Sequence, residues 1–152
     1  MRRERVGSLL ALAADDLAAA ETLLEGHPRQ AAFLIEQAAE KLLKAVLAAE
    51  GIAHRPSHQI GALAALLPLG HRWRADLAAF DEFSSYATAT RYPTAGGGMP
   101  PAPDGAELRE DLARVRALAG PLAAWCRQRV DGASSDAGPD TGGPLSAGPS
   151  GR

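Results

Sequence analysis

Apolar residues recur three and four positions apart along most of this chain, which is the period of one helix face. Val6, Leu9, Leu10, Ala13, Leu17, Ala20 and Leu24 form the first such stripe, and Gly26 and Pro28 follow it as the expected cap and stop. A first helix is therefore predicted over about residues 3–25. Ile35, Ala38, Ala39, Leu42, Val46 and Ala49 form a second stripe over about residues 29–50, widened by Leu34, Leu43 and Leu47 and closed by Gly51. So broad a stripe predicts a helix covered on two sides, in the middle of a bundle.

The pattern continues. Ser57, after Pro56, is the expected N-cap of a short helix that reaches about Leu67 and is stopped by Pro68 and Gly70. Trp73, Leu77, Phe80, Ser84 and Ala87 predict one long helix over about residues 71–91. A loop rich in proline and glycine spans Tyr92 to Pro103. Asp104 and Glu107 then have capping-box spacing at the start of a last helix, with Leu108, Leu112, Val115, Ala119, Leu122 and Cys126 on its apolar stripe. Pro121 interrupts that stripe and predicts a kink, or a break after Gly120. The expected architecture is all-α: an antiparallel up-and-down bundle of four long helices plus one short helix, over residues 1–130. Residues 131–152 are nearly all Gly, Ser, Pro, Asp, Ala and Thr, with Leu145 as the only large apolar residue. That stretch is expected to be a disordered tail, because it buries too little surface to offset its chain entropy.

Composition agrees with this reading. A chain of 152 residues suits one domain, and aromatics make up only 5%, so alanine and leucine do most of the packing. The net charge of −2 gives no global field for a polyanion, although a local basic patch is compatible with it. One cysteine, Cys126, excludes an intrachain disulfide and a cysteine-built metal site; its place on an apolar stripe predicts a buried thiol. No run of about 20 apolar residues exists to span a membrane. Asp15 and Asp16 interrupt the stretch after the basic start, which argues against a signal peptide. A soluble, cytoplasmic protein without a cofactor is expected.

Arg91 is the most informative residue. Counted in helical steps, it continues the stripe of Leu77, Phe80, Ser84 and Ala87, so it is predicted to face the core. An arginine there needs a charge partner or a cleft. Tyr92-Pro93 follows at once, so a guanidinium, a phenol and a fixed turn meet at a helix end. One outcome is an ion pair with Asp16, Glu36 or Glu40 that locks the bundle. The other is a phosphate or nucleotide site, which a planar two-toothed cation suits. Lys41, Lys44, Tyr92 and His58 are the further candidate ligand-binding residues. His54 and His58 are four apart, but Pro56 and Ser57 separate them and no carboxylate completes a metal site. Gly96-Gly97-Gly98 lies between helices and before Met99-Pro100-Pro101, so it reads as a linker rather than a phosphate loop.

The run from Phe33 to Leu47, with its core Gln37-Ala38-Ala39-Glu40-Lys41, then Lys44-Ala45, resembles the second helix of HEPN domains, the higher eukaryote and prokaryote nucleotide-binding family. Gly51 and Ser57-His58-Gln59-Ile60 resemble that family's next loop, with Gln59 where an aspartate is usual. Tyr86 and Arg91-Tyr92-Pro93 resemble its later signature. Order and spacing agree over roughly residues 5–128. The resemblance implies a helical bundle, usually dimeric, and a partnership with a minimal nucleotidyltransferase in a toxin–antitoxin-type pair. It also implies kinship with metal-independent ribonucleases, whose motif sets a histidine a few residues after the arginine. Here the last histidine is His71, so no histidine follows Arg91. The usual proton-transfer group is missing, and Tyr92 is a poor substitute, since a free phenol titrates near about 10.

The leading expectation is therefore a binding or regulatory domain, homodimeric and paired with a nucleotidyltransferase, that takes a nucleotide or phosphate near Arg91. The alternatives are a ribonuclease with a non-standard site built from Arg91, Tyr92 and His58, and a structural interaction module. The last predicts Arg91 in an internal salt bridge with no pocket beside it.

Overall fold

The computed structural model describes residues 1–89 and 91–135; residues 90 and 136–152, including most of the expected tail, lie outside the described residues. The architecture is all-α. Three long helices carry it: α1 (Arg2–Leu23), α2 (Pro28–Glu50) and α6 (Gly105–Ser135). Three short helices lie between them: α3 (Ile60–Ala64), α4 (Arg74–Ala79) and α5 (Ser84–Ala89). Among the described residues there is no strand.

α2 is the central element, packed against α1 and α6 on its flanks and against α3 and α5 across its remaining face. The broad apolar stripe explains this placement. Ala31, Ala32, Ile35, Ala38, Ala39, Leu42, Leu43, Val46 and Leu47 are all buried. Pro28 sits at the first position of α2, where its missing N–H costs nothing and its fixed φ suits the helix. At the other end Gly51 adopts φ +71°, its N–H bonds the Ala48 carbonyl, and the Ile52 N–H bonds the Leu47 carbonyl. That pair of bonds is a Schellman closure, which needs a left-handed residue and so favours glycine.

The expected single helix over residues 71–91 is instead three pieces. A turn of 3-10 helix, Phe80–Phe83, separates α4 from α5. In a 3-10 turn residues three apart eclipse one another. Phe80 accordingly stacks on Phe83 at 5.3 Å between centroids, and Phe83 on Tyr86 at 5.8 Å. Both phenylalanines are buried, so the aromatic column offsets the poorer hydrogen bonding of the tighter turn. Asp81 ties the same turn to α3, accepting from the Gly61 N–H at 2.8 Å and from the Ser84 hydroxyl at 3.1 Å.

Three other boundaries differ. The short helix begins at Ile60, not Ser57, because the Ser57 hydroxyl accepts from the Gln59 N–H and closes a local turn. The last helix runs through Pro121 without a break. Leu108, Leu112 and Val115 before the proline and Leu122, Cys126 and Val130 after it are all buried, and their burial outweighs the roughly 3 kcal/mol proline penalty. The same helix extends to Ser135, so residues 131–135 are helical where a tail was expected. Buried Val130, and an Arg3–Asp131 ion pair to α1, hold that final turn. Asp104 does cap this helix, accepting from the Ala106 and Glu107 N–H groups at 2.8 and 3.0 Å.

Candidate anion-binding site

One face of α2 carries Arg29, Phe33, Glu36, Glu40 and Lys44, spaced four, three, four and four apart. The turn at Arg91 lies against the first part of this stripe. The Arg91 guanidinium carbon sits 4.3 Å from the centre of the Phe33 ring, and its Nε donates to the Ala87 carbonyl at 2.9 Å. Arg91 is exposed rather than core-facing. α5 ends at Ala89 and Arg91 lies in a turn, so the helical count that points it at the core does not extend to it. Nor does Arg91 pair with Asp16, Glu36 or Glu40. Among the described residues it has no ion pair at all.

A groove of about 350 Å³ opens beside it, lined by Arg29, Arg91, Tyr92, Pro93, Gly97, Gly98, Met99 and Pro100. Two guanidinium groups and no carboxylate line this groove. Tyr92 is 64% exposed. Arg29 donates through Nη2 to the Pro100 carbonyl, while its Nε is buried without a hydrogen-bond partner. An unsatisfied buried donor is costly, about 1–3 kcal/mol. An anion in the groove has two cations to meet. Arg29 carries no sequence signal of its own; only the folding of the glycine-rich loop back over the start of α2 brings it to Arg91.

Further along α2 the stripe becomes a polar network. Glu36 and Glu40 are both buried. Gln37 Nε2 donates to Glu36 at 2.9 Å and to Glu40 at 3.4 Å. Lys44 donates to Glu40 at 2.6 Å, and His58 Nδ1 meets the same carboxylate oxygen at 3.0 Å. The His58 ring is otherwise open to solvent. Burial drives the Glu36 carboxyl above the ordinary carboxylate range and Glu40 adds repulsion, against the pull of the Gln37 hydrogen bond and of the Arg91 and His58 charges. His58 and Arg91 therefore share the Glu36 corner. Lys41 turns the other way and pairs with Asp16 on α1. The structure thus brings Arg91, Tyr92 and Arg29 to one groove, gathers His58, Glu36, Glu40 and Lys44 in a network further along α2, and leaves Lys41 and Asp16 as a clasp between α1 and α2.

His54 lies outside any helix and its Nδ1 contacts the Arg55 carbonyl. Among the described residues no group of three His, Cys, Asp or Glu side chains could hold a metal ion. No described helix is long and apolar enough to cross a membrane. Cys126 is buried, and burial pushes its thiol up to about 12.

The fold and this corner define a small all-α bundle with an arginine-lined groove at a helix end. The profile of the HEPN domain matches residues 6–128, and the chain belongs to that family. Neither a curated protein nor a solved structure matches it.

Proposed function

We propose that this chain is a HEPN-type binding domain whose groove takes a phosphate group, most simply that of a nucleotide, between Arg29 and Arg91. The observation that carries the reading is the pair of guanidinium groups lining a groove with no carboxylate. The reading as a purely structural module requires Arg91 in an internal salt bridge with no pocket beside it, and neither feature is present among the described residues. The test is calorimetric titration of the whole protein with adenosine diphosphate. Binding that is lost in Arg91→Ala and weakened about tenfold or more in Arg29→Ala supports the site. Unchanged binding in Arg91→Ala sinks it. Regulation of, or by, a partner nucleotidyltransferase in a toxin–antitoxin-type pair, and action as a homodimer, belong to the same proposal. Family membership supports both. Co-purification with a nucleotidyltransferase encoded beside this chain tests the first, and light scattering at micromolar concentration tests the second.

A second reading is favoured by one contact. Glu40 holds His58 Nδ1 while the rest of the ring is open to solvent, and His58 and Arg91 both act on the Glu36 carboxyl. A carboxylate-oriented imidazole is an arrangement used for proton transfer, and it would stand in for the histidine missing after Arg91 in a ribonuclease. RNA cleavage that disappears in both His58→Ala and Arg91→Ala supports this reading; purified protein that leaves RNA intact rejects it.

A further inference from the structure

The other end of α2 holds a second pocket, independent of the Arg91 groove. Gly51 is about 20 residues beyond Arg29, so at about 1.5 Å per residue the two ends are roughly 30 Å apart. This pocket, about 450 Å³, is lined by Arg2 and Arg5 from the first turn of α1, Ala48 and Gly51 from the end of α2, and Ile52, Ala53 and His54 from the loop after it. Its floor is apolar and its rim is cationic. No carboxylate lines it.

Like Arg29 and Arg91, the two arginines line a concavity without an ion pair among the described residues, although Arg2 also borders a neighbouring hollow that Glu50 lines. Arg3, Arg109, Arg114, Arg116 and Arg129 each meet a carboxylate on a neighbouring element or turn. Arg2 and Arg5 have no ion pair among the described residues, although Glu50 is only one residue from Gly51. Arg2 also lies close against the end of α2. Its guanidinium lies so close to the Gly51 backbone that an added Cβ there would fall 2.5 Å from Nη2. Of the four carbonyls left open at the end of α2, those of Leu47 and Ala48 are bonded by Ile52 and Gly51. The end of a helix offers about half a negative charge against two full positive ones, so the pocket stays net positive.

From this geometry we infer a second binding site, for a small organic phosphate whose apolar body lies on Ala48, Ile52 and Ala53 and whose phosphate is held by Arg2 and Arg5. Two guanidinium forks suit a phosphate's several oxygens, and the volume is that of an ordinary small-ligand pocket. His54 stands at the rim as a further donor.

Amide-resolved NMR titration of the full chain with adenosine monophosphate, and separately with inorganic phosphate, tests the site. Adenosine monophosphate is expected to move the Gly51, Ile52, Ala53 and His54 amides, with the same affinity in Arg91→Ala. Arg2→Gln/Arg5→Gln is expected to weaken that binding about a hundredfold, tenfold for each charge-assisted contact. If the double variant loses its dispersed spectrum, Arg5→Gln alone carries the test, with a weakening of about tenfold. No movement of these four amides, or equal affinity in the arginine variants, overturns the site. Loss of binding in Arg91→Ala overturns its independence. Inorganic phosphate binding as tightly as the nucleotide overturns the role of the apolar floor.

Discussion

The guanidinium carbon of Arg91 lies over the ring of Phe33, 4.3 Å from its centre, with Nε donating to the Ala87 carbonyl. Among the described residues the remaining N–H groups of that guanidinium have no hydrogen-bond partner and can meet a ligand. Phe33 thus acts as a shelf that orders a long, exposed side chain before anything binds, and the ring's face is electrostatically suited to it. Phe33→Leu is expected to weaken anion binding in the groove by about two- to fivefold, the loss of about 0.5–1 kcal/mol at an exposed cation–π pair. Calorimetry on the variant checks this, and an affinity equal to wild type would show that the shelf has no part in binding.

Glu36 is buried and its carboxyl is raised, first by burial. A raised acid in the folded state means the folded protein holds a proton that the unfolded chain releases. Any stability tied to Glu36 is present below its ordinary value of 4.5 and is lost as pH rises through the folded value. Glu36→Gln should therefore stabilise the protein at neutral pH by about 1–3 kcal/mol, the scale of burying a polar group poorly compensated, with the gain shrinking towards zero in acid. Thermal melts of both proteins across that pH range measure it, and a gain that grows in acid would contradict the sign.

Glu50 has the opposite sense. Burial alone would raise its carboxyl, but hydrogen bonds from Arg129 and His71, with their charges, lower it. Its contribution is present above 4.5 and is lost as pH falls through the folded value. Arg129→Ala should cost stability at neutral pH, by up to about 1 kcal/mol because the arginine is half exposed, and nothing in strong acid. The same melting series in the variant reads this directly.

Gly61 sits where an added Cβ would fall 2.8 Å from the Asp81 carboxyl carbon, and its N–H donates to that carboxylate. Gly61→Ala and Asp81→Ala should each destabilise the protein by about 1–3 kcal/mol. Because both break the same contact, the double variant should cost less than their sum. Denaturant midpoints of the four proteins complete the cycle, and simple additivity would mean the contact carries no energy.

Cys126 is fully buried with its thiol pushed up to about 12. Alkylating reagents should leave it unmodified in the native protein and label it only as the bundle opens, since the thiolate is the reactive species. Labelling rate against denaturant concentration checks this; fast labelling in buffer would place the thiol near a surface.

Much of the fold was legible because the long helices are set by spacing alone. The stripe on residues 29–50 predicted a helix covered on two sides, and α2 is that helix. Glu36 and Glu40 lie on one helical face with Lys44, yet spacing points to them as partners of Arg91, with which neither forms an ion pair among the described residues. Arg29 was not, since it meets Arg91 only through a loop fold, and loops carry no periodicity. Arg91 stands out by continuing the stripe of Leu77, Phe80, Ser84 and Ala87, but it is exposed, because α5 ends at Ala89 and a helical count does not reach beyond the helix. Pro121 predicts locally a kink or a break after Gly120; the helix is unbroken there, because burial on both sides of the proline decides the outcome globally.

That aromatic stack has a consequence beyond its own packing. Ala87, whose carbonyl anchors Arg91, rides on α5, and the heading of α5 is set by how tightly residues 80–83 are wound. Loosening the stack would turn the anchor like a dial. A substitution at Phe80, a residue that does not line the groove, should therefore retune affinity there, so that inherited variation in a buried aromatic would be felt as a change in what the surface can hold.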